Sequence, residues 1–272
     1  MPTIDALLRS LQLEQTGADT YTAPNAEDHG TIFGGQLLGQ SIVAALTGRT
    51  GKTVKTINTI FARAGASGEP VDIRVEPVHD GRTFASSNVS ISQGGRVCAR
   101  SLVLLSADED DVIRHGEEMP GVPPPDEATT QAQGDWHIQI VGNVDLADPD
   151  KVGPAELDVW TKFAGAPADA GINQALIAYA TDAFLIGTAM RPHKGVGQAQ
   201  AHKSLSTGVI GHTLTFHEPM WAGDWFLIAH HSSYAGHGRT YGRADVFSRD
   251  GQLTASFVQD AMIRRRDEGA KL

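Results

Sequence analysis

Two polar side chains sit where the chain otherwise reads as apolar interior. Asp182 interrupts the run Ile172–Met190, INQALIAYATDAFLIGTAM, which is greasy nearly all round. A carboxylate in such a segment is costly unless it is paired or hydrogen-bonded, and perturbed carboxylates gather at active sites. Gln259 follows Phe257 and Val258 in a strand-like stretch. An amide inside an apolar strand needs hydrogen-bond partners. Strand alternation also lets Gln259 face solvent, which is the plainer reading of that strand taken alone.

Other constellations fail on spacing. Gly51-Lys52-Thr53 lacks the earlier glycine of a phosphate-binding loop, because Leu46 stands there. The chain has no Gly-x-Ser-x-Gly elbow. His230-His231 and His237 match no metal-ligand spacing and read as solvated loop residues. His29, His212 and His217 are candidates as bases or as hydrogen-bonding core residues, and the latter role suits His212 and His217. The single cysteine, Cys98, lies in a strand-like run and reads as core.

The elements that must carry these residues repeat. Gly81–Leu105, GRTFASSNVSISQGGRVCARSLVLL, and Gly238–Ile263, GRTYGRADVFSRDGQLTASFVQDAMI, are one long hairpin written twice. Gly94-Gly95 and Asp250-Gly251 supply the turns, since type I′ turns need positive φ; the second turn is expected to be one residue shorter. Aligned through the turns, Val103 falls opposite Gln259. The repeat extends to long helices expected over Gly34–Leu46 and Ile172–Met190, and to the strands ending Ile60-Phe61 and Thr215-Phe216. Each unit is thus one helix against an antiparallel meander. The expected division is residues 1–106, an acidic and proline-rich linker over 107–134 that could cross the first unit, and residues 135–272.

Charge and composition exclude some functions. With 22 Lys and Arg against 32 Asp and Glu, the net charge is −10, which argues against a general nucleic-acid binder. One cysteine precludes an internal disulfide and fits a reducing compartment. Asn173, Gln174 and Asp182 argue against a membrane span in the second helix. A cytoplasmic protein with no membrane partner is expected.

The ordered set Gly34-Gly35-Gln36, Phe61-Ala62-Arg63, Asp80-Gly81-Arg82-Thr83-Phe84, Tyr179-Ala180-Thr181-Asp182, Pro192-His193, Phe216-His217-Glu218-Pro219 and Ala255–Gln259 resembles the type II acyl-CoA thioesterases, the TesB-like family. The resemblance runs from about Phe33 to Arg264. It implies an α+β double hotdog fold, an acyl-CoA substrate, no cofactor or metal, and a homo-oligomer. It also implies a water-activating site in which Asp182 matches the family's Asp and Gln259 its Gln. The family's hydroxyl position is occupied by Val209, and Gly211 replaces the usual Asp before His212. Thr207, two residues earlier on the same face of a regular strand, is taken as the substitute hydroxyl.

In that reading Asp182 takes a proton from water, Gln259 orients the water, and backbone N–H groups hold the oxyanion. Two alternatives stand beside it. One is an acyl-CoA-binding protein without activity, for which Val209 speaks. The other is an enoyl-CoA hydratase, whose Asp-x-Asn-Pro-x-His pattern the sequence lacks.

Overall fold

The computed structural model describes residues 2–26, 30–126 and 130–266. His29 lies outside them. In chain order the elements are α1 (Ile4–Ser10), β1 (Glu14–Gly17), β2 (Thr20–Ala23), α2 (Gly34–Leu46), β3 (Thr53–Phe61), β4 (Val71–Asp80), β5 (Phe84–Gln93) and β6 (Arg96–Ser106). Then follow β7 (Gln131–Gln133), β8 (Trp136–Ile140), β9 (Glu156–Phe163), α3 (Ala170–Thr181), α4 (Leu185–Met190), β10 (Leu205–Phe216), β11 (Phe226–Gly236), β12 (Arg239–Ser248) and β13 (Leu253–Arg265). This is the expected α+β double hotdog: α2 and α3 lie together inside one antiparallel sheet of 13 strands, ordered β1-β2-β4-β5-β6-β3-β10-β13-β12-β11-β9-β8-β7.

The sheet is nearly symmetric about its middle. There β3 pairs with β10, and Asn58 lies opposite Thr213. In the alignment that equates Ile60 with Thr215, those two residues are each other's counterparts, so the two-fold relation of the repeat passes between them. One face is packed on the helices. Its residues alternate with outward ones because successive strand side chains point to opposite faces: Ile57, Val89, Ile91, Val103, Leu105, Leu214, Val246 and Phe257 are all buried.

Glycine sets how near the two helices come. A Cβ on Gly35 would stand 2.8 Å from the Tyr179 Cα, and one on Gly39 would stand 3.2 Å from the Ala175 carbonyl oxygen. The polar residues of the apolar second helix are not idle. Asn173 donates to the Pro167 and Asp169 carbonyls and accepts from Ala222 N–H. Gln174 receives Val54 N–H and donates to the Val54 carbonyl, at a point where the β3–β6 register shifts. The start of α2 is fixed similarly: Gln36 and Gln40 bond Asn25, Ala26 and Pro24 of the preceding loop.

Four expectations are corrected. The helix Ile172–Met190 is not continuous. It breaks after Asp182 at a γ-turn centred on Phe184 (φ 68°, ψ −31°), closed by Leu185 N–H donating to the Ala183 carbonyl at 2.9 Å. The second hairpin turn is longer than the first, not shorter. Gly94 and Gly95 both have positive φ in a two-residue loop, whereas Arg249–Gly251 is a three-residue loop with only Gly251 left-handed. The segment 107–134 ends in a strand, since β7 pairs with β8. Its middle crosses the second half, not the first: Met119 and Val122 pack on Trp160, Trp225, Leu227 and Phe247, Trp160 Nε1–H donates to the Pro123 carbonyl, and Arg114 pairs with Glu218.

Substituting Gly35→Ala should destabilise the chain by about 1–3 kcal/mol, because backbone on both sides resists the added methyl. A shifted urea midpoint would register this; an unchanged midpoint would mean that the helices have room to part.

Candidate active site

The break after α3 leaves Asp182 as the residue that caps it, with its side chain turned toward the first turn of α2. Gly35 N–H donates to Asp182 Oδ2 at 2.9 Å. A Cβ on Gly34 would stand 2.7 Å from the same oxygen, so only a glycine lets the helix end come this close. The positive end of α2 thereby faces a carboxylate from the other half of the chain. Asp182 is only 8% exposed. Burial raises its pKa to about 7, against the smaller lowering effect of the Gly35 N–H.

Gln259 completes the corner from the sheet. Its Nε2 lies 3.4 Å from Asp182 Oδ1 and 3.3 Å from His212 Nδ1. His212 is buried, stacked on Phe257 with ring centroids 5.0 Å apart, and its Nε2 lies 3.1 Å from Thr181 Oγ1. Thr181 donates its hydroxyl proton to the Ala178 carbonyl at 2.8 Å. One set of directions satisfies every partner: His212 carries its proton on Nε2 and donates it to Thr181, so Nδ1 accepts from the Gln259 amide. Burial pushes the His212 pKa down to about 3, so the ring is neutral near neutral pH. Both amide hydrogens of Gln259 are then used, toward His212 and Asp182. Its Oε1 is buried and has no partner among the described residues.

The register explains which expected residues meet. A bulge between Val209 and Gly211 inserts Ile210, so that Val209 pairs with Ala261 and His212 with Gln259. This extra residue brings His212 onto the inner face. Thr207 pairs with Ile263, four residues along β13 from Gln259, or about 13 Å at strand spacing. No hydrogen bond among the described residues joins Thr207 to Asp182 or Gln259. The structure therefore brings Asp182 and Gln259 together and leaves Thr207 apart. The hydroxyl nearest the pair through the network is Thr181, beside Asp182 in the sequence.

Two histidines stand elsewhere than expected. His217 is exposed and bonds Ser256. His230 is buried, not solvated: its Nδ1 lies 2.9 Å from the Leu157 carbonyl, and its ring is edge-on to Phe184 and Phe257. Among the described residues no group of three His, Cys, Asp or Glu could hold a metal ion, and no helix is long and apolar enough to cross a membrane.

The counterpart corner in the other half of the repeat is apolar. Where Gly34 and Gly35 approach Asp182, Gly171 approaches Leu46. Where Gln259 pairs with His212, Val103 pairs with Ile57. Val103 and Ile57 are fully buried.

A raised carboxylate pKa costs stability as pH rises. Below about pH 4 both folded and unfolded chains hold the Asp182 proton; from there to about 7 the unfolded chain releases it and the folded chain does not. Asp182→Asn does not ionise, so its unfolding free energy should gain on that of the natural chain between about pH 4 and pH 8. Urea midpoints at both ends measure the gain, and a constant difference would contradict the raised pKa.

Comparison with known proteins gives a concordant result. Residues 22–106 match the family model for the acyl-CoA thioesterase N-terminal domain, and residues 116–263 that for the C-terminal domain. The chain is 28% identical to acyl-CoA thioesterase 2 of Haemophilus influenzae, over 96% of this chain and 98% of that protein. It is 25% identical to human acyl-coenzyme A thioesterase 8, over 86% and 80%. Among solved structures, acyl-CoA thioesterase II TesB2 from Mycobacterium marinum superposes with a TM-score of 0.82 at 26% identity, over 98% of this chain and all of that one. Half-matches on both sides of one sheet, joined in one chain, place this protein in the type II acyl-CoA thioesterase family of thioester hydrolases.

Proposed function

We propose that the protein hydrolyses acyl-CoA to a free fatty acid and CoA, with Asp182 as the base and Gln259 as the group that orients the attacking water. The observation that carries this reading is the pairing of a buried carboxylate with an amide whose donor side is already engaged. Gln259 Nε2 is turned to His212 and Asp182, which leaves Oε1 as an acceptor beside Asp182 Oδ1. A water donating one hydrogen to each oxygen presents its lone pair outward. His212 and Thr181 act as positioning residues, since they fix which way the amide faces.

The chemistry follows from that arrangement. Asp182 takes a proton as the water oxygen attacks the thioester carbonyl carbon. The charge that develops on the carbonyl oxygen is stabilised by the positive end of α2. As the intermediate collapses the C–S bond breaks, and the thiolate of CoA recovers the proton from Asp182. Water is consumed, and no side chain becomes acylated. The acyl chain would occupy apolar space between helix and sheet.

Asp182 must be ionised to accept a proton, so kcat/KM should rise with pH through about 7 and level off above it. Release of CoA thiol, followed with a thiol-reactive dye over short to long acyl chains, measures this. Asp182→Asn should lower kcat by roughly 10²–10⁴-fold, and Gln259→Leu by on the order of 10²-fold through misplacement of the water. Thr207→Ala should leave the rate unchanged. Full activity of Asp182→Asn would reject the assignment; no thiol release by the natural chain with any acyl length would favour a binding protein.

A further inference from the structure

The inner face of the sheet is not covered along its whole length. On β13 that face carries Gln259, Ala261, Ile263 and Arg265, since alternate side chains share a face. Gln259 and Ala261 are buried, Ile263 is half-buried and Arg265 is exposed. On β10 the alternation of buried and open positions fails at the same end. Residues 205–210 are all half-buried, and burial resumes only at Gly211 and His212. The helices thus close over the corner at Asp182 and leave a trench beyond it, along β10 and β13, that runs out to solvent.

The trench ends among cations. Arg265 pairs with Leu205 at its mouth, and Lys203 shortly precedes that strand. Arg63 stands on the other side, beyond the end of β3. That strand runs toward the same end as β13, because both are antiparallel to β10. Arg63 N–H donates to the Cys98 carbonyl, and nearby the Gly65 carbonyl accepts from Ile32 N–H at the entry to α2. Arg63, Lys203 and Arg265 are exposed, and none has an ion-pair partner among the described residues. In a chain of net charge −10, unpaired cations about one opening reverse the local sign and attract anions.

Length selects which anion. Arg265 lies about 20 Å along β13 from Gln259 at strand spacing. Three backbone bonds of an extended chain span about 3.6 Å, so the roughly thirteen bonds from the thioester sulfur of CoA to its first phosphorus reach about 16 Å. An arginine side chain closes the remainder.

We propose that Arg265, with Arg63 and Lys203, binds the phosphates of CoA at the mouth of this trench, and so selects a phosphate-bearing thioester over one on a neutral carrier. The assignment rests on the catalytic reading above, which fixes where the sulfur lies. The pantetheine arm then follows the trench from the Asp182 corner outward. Arg265 offers a planar fork of N–H donors that matches two phosphate oxygens. A thioester without phosphates reaches the same corner and finds no partner at the mouth. Arg264 shares the outer face with Met262, whose sulfur its Nε approaches, and takes no part.

Thiol release from octanoyl-CoA and from S-octanoyl-N-acetylcysteamine separates the site from the chemistry. The natural chain should hydrolyse both, with the lower KM for octanoyl-CoA. Arg265→Glu should raise that KM by at least about 10-fold, acting through KM rather than kcat, and shift the KM for the phosphate-free thioester by less than about 3-fold. Arg63→Glu should act in the same direction, and Arg265→Lys should recover most of the loss because it restores the charge. Arg264→Glu, one residue away but on the other face, is the control for net charge alone. An Arg265→Glu chain that keeps its KM for octanoyl-CoA, that loses equally on both substrates, or that Arg264→Glu merely matches would overturn the proposal. If the natural chain releases thiol from neither substrate, the catalytic reading fails instead. Titration calorimetry with CoA then decides the site: binding weakened at least about 10-fold by Arg265→Glu supports it, and equal affinities or no binding by the natural chain overturn it.

Discussion

The rest of the structure depends on the close passage of α2 over α3. Two helices can cross this tightly only where one has no side chain, and Gly35 and Gly39 provide that. The approach does more than fill the interior. It brings a backbone N–H from the first half to a carboxylate from the second. That donor and the longer contact from the Gln259 amide only partly offset the cost of burying Asp182, and the remaining cost appears as a carboxyl whose pKa stands near neutrality. A fully solvated aspartate would be a weaker base, and one with several donors would be weaker still.

Duplication gave two such corners, and only one is polar. Asp182, Gln259 and His212 have Leu46, Val103 and Ile57 as counterparts. The polar version costs stability that the apolar version does not, because buried polar groups are tolerated only when their partners are present. Here the partners are supplied in series: the Ala178 carbonyl anchors Thr181, Thr181 anchors His212, and His212 turns the Gln259 amide. Removing any member leaves the next without its direction.

Much of this was legible in the residues. The repeated Gly-Arg-Thr hairpins gave the architecture, and Asp182 in an apolar run with Gln259 opposite Val103 marked the corner. What the sequence hid were local departures from regularity. Ala183-Phe184-Leu185 has nothing in its composition against a helix, so the γ-turn that breaks it is set by tertiary packing. Ile210 is an ordinary strand residue, yet its bulge turns His212 inward; Thr207 lies opposite Ile263, too far along β13 to reach Gln259. His230 lies in what looked like loop and is instead deep in a strand of eleven residues, Phe226–Gly236. The crossing segment carries no periodicity, and its path over the second half is dictated by Trp160, Leu227 and Phe247, whose outward direction depends on register.

The helix end that serves Asp182 belongs to the opposite copy of the repeat. Neither copy can therefore be pared away, since the first would keep a donor with nothing to hold and the second a stranded anion. Two halves that differ in this way are not interchangeable. With the counterpart corner apolar, separate halves would carry no complete site of their own, and the covalent tether keeps one of each kind together.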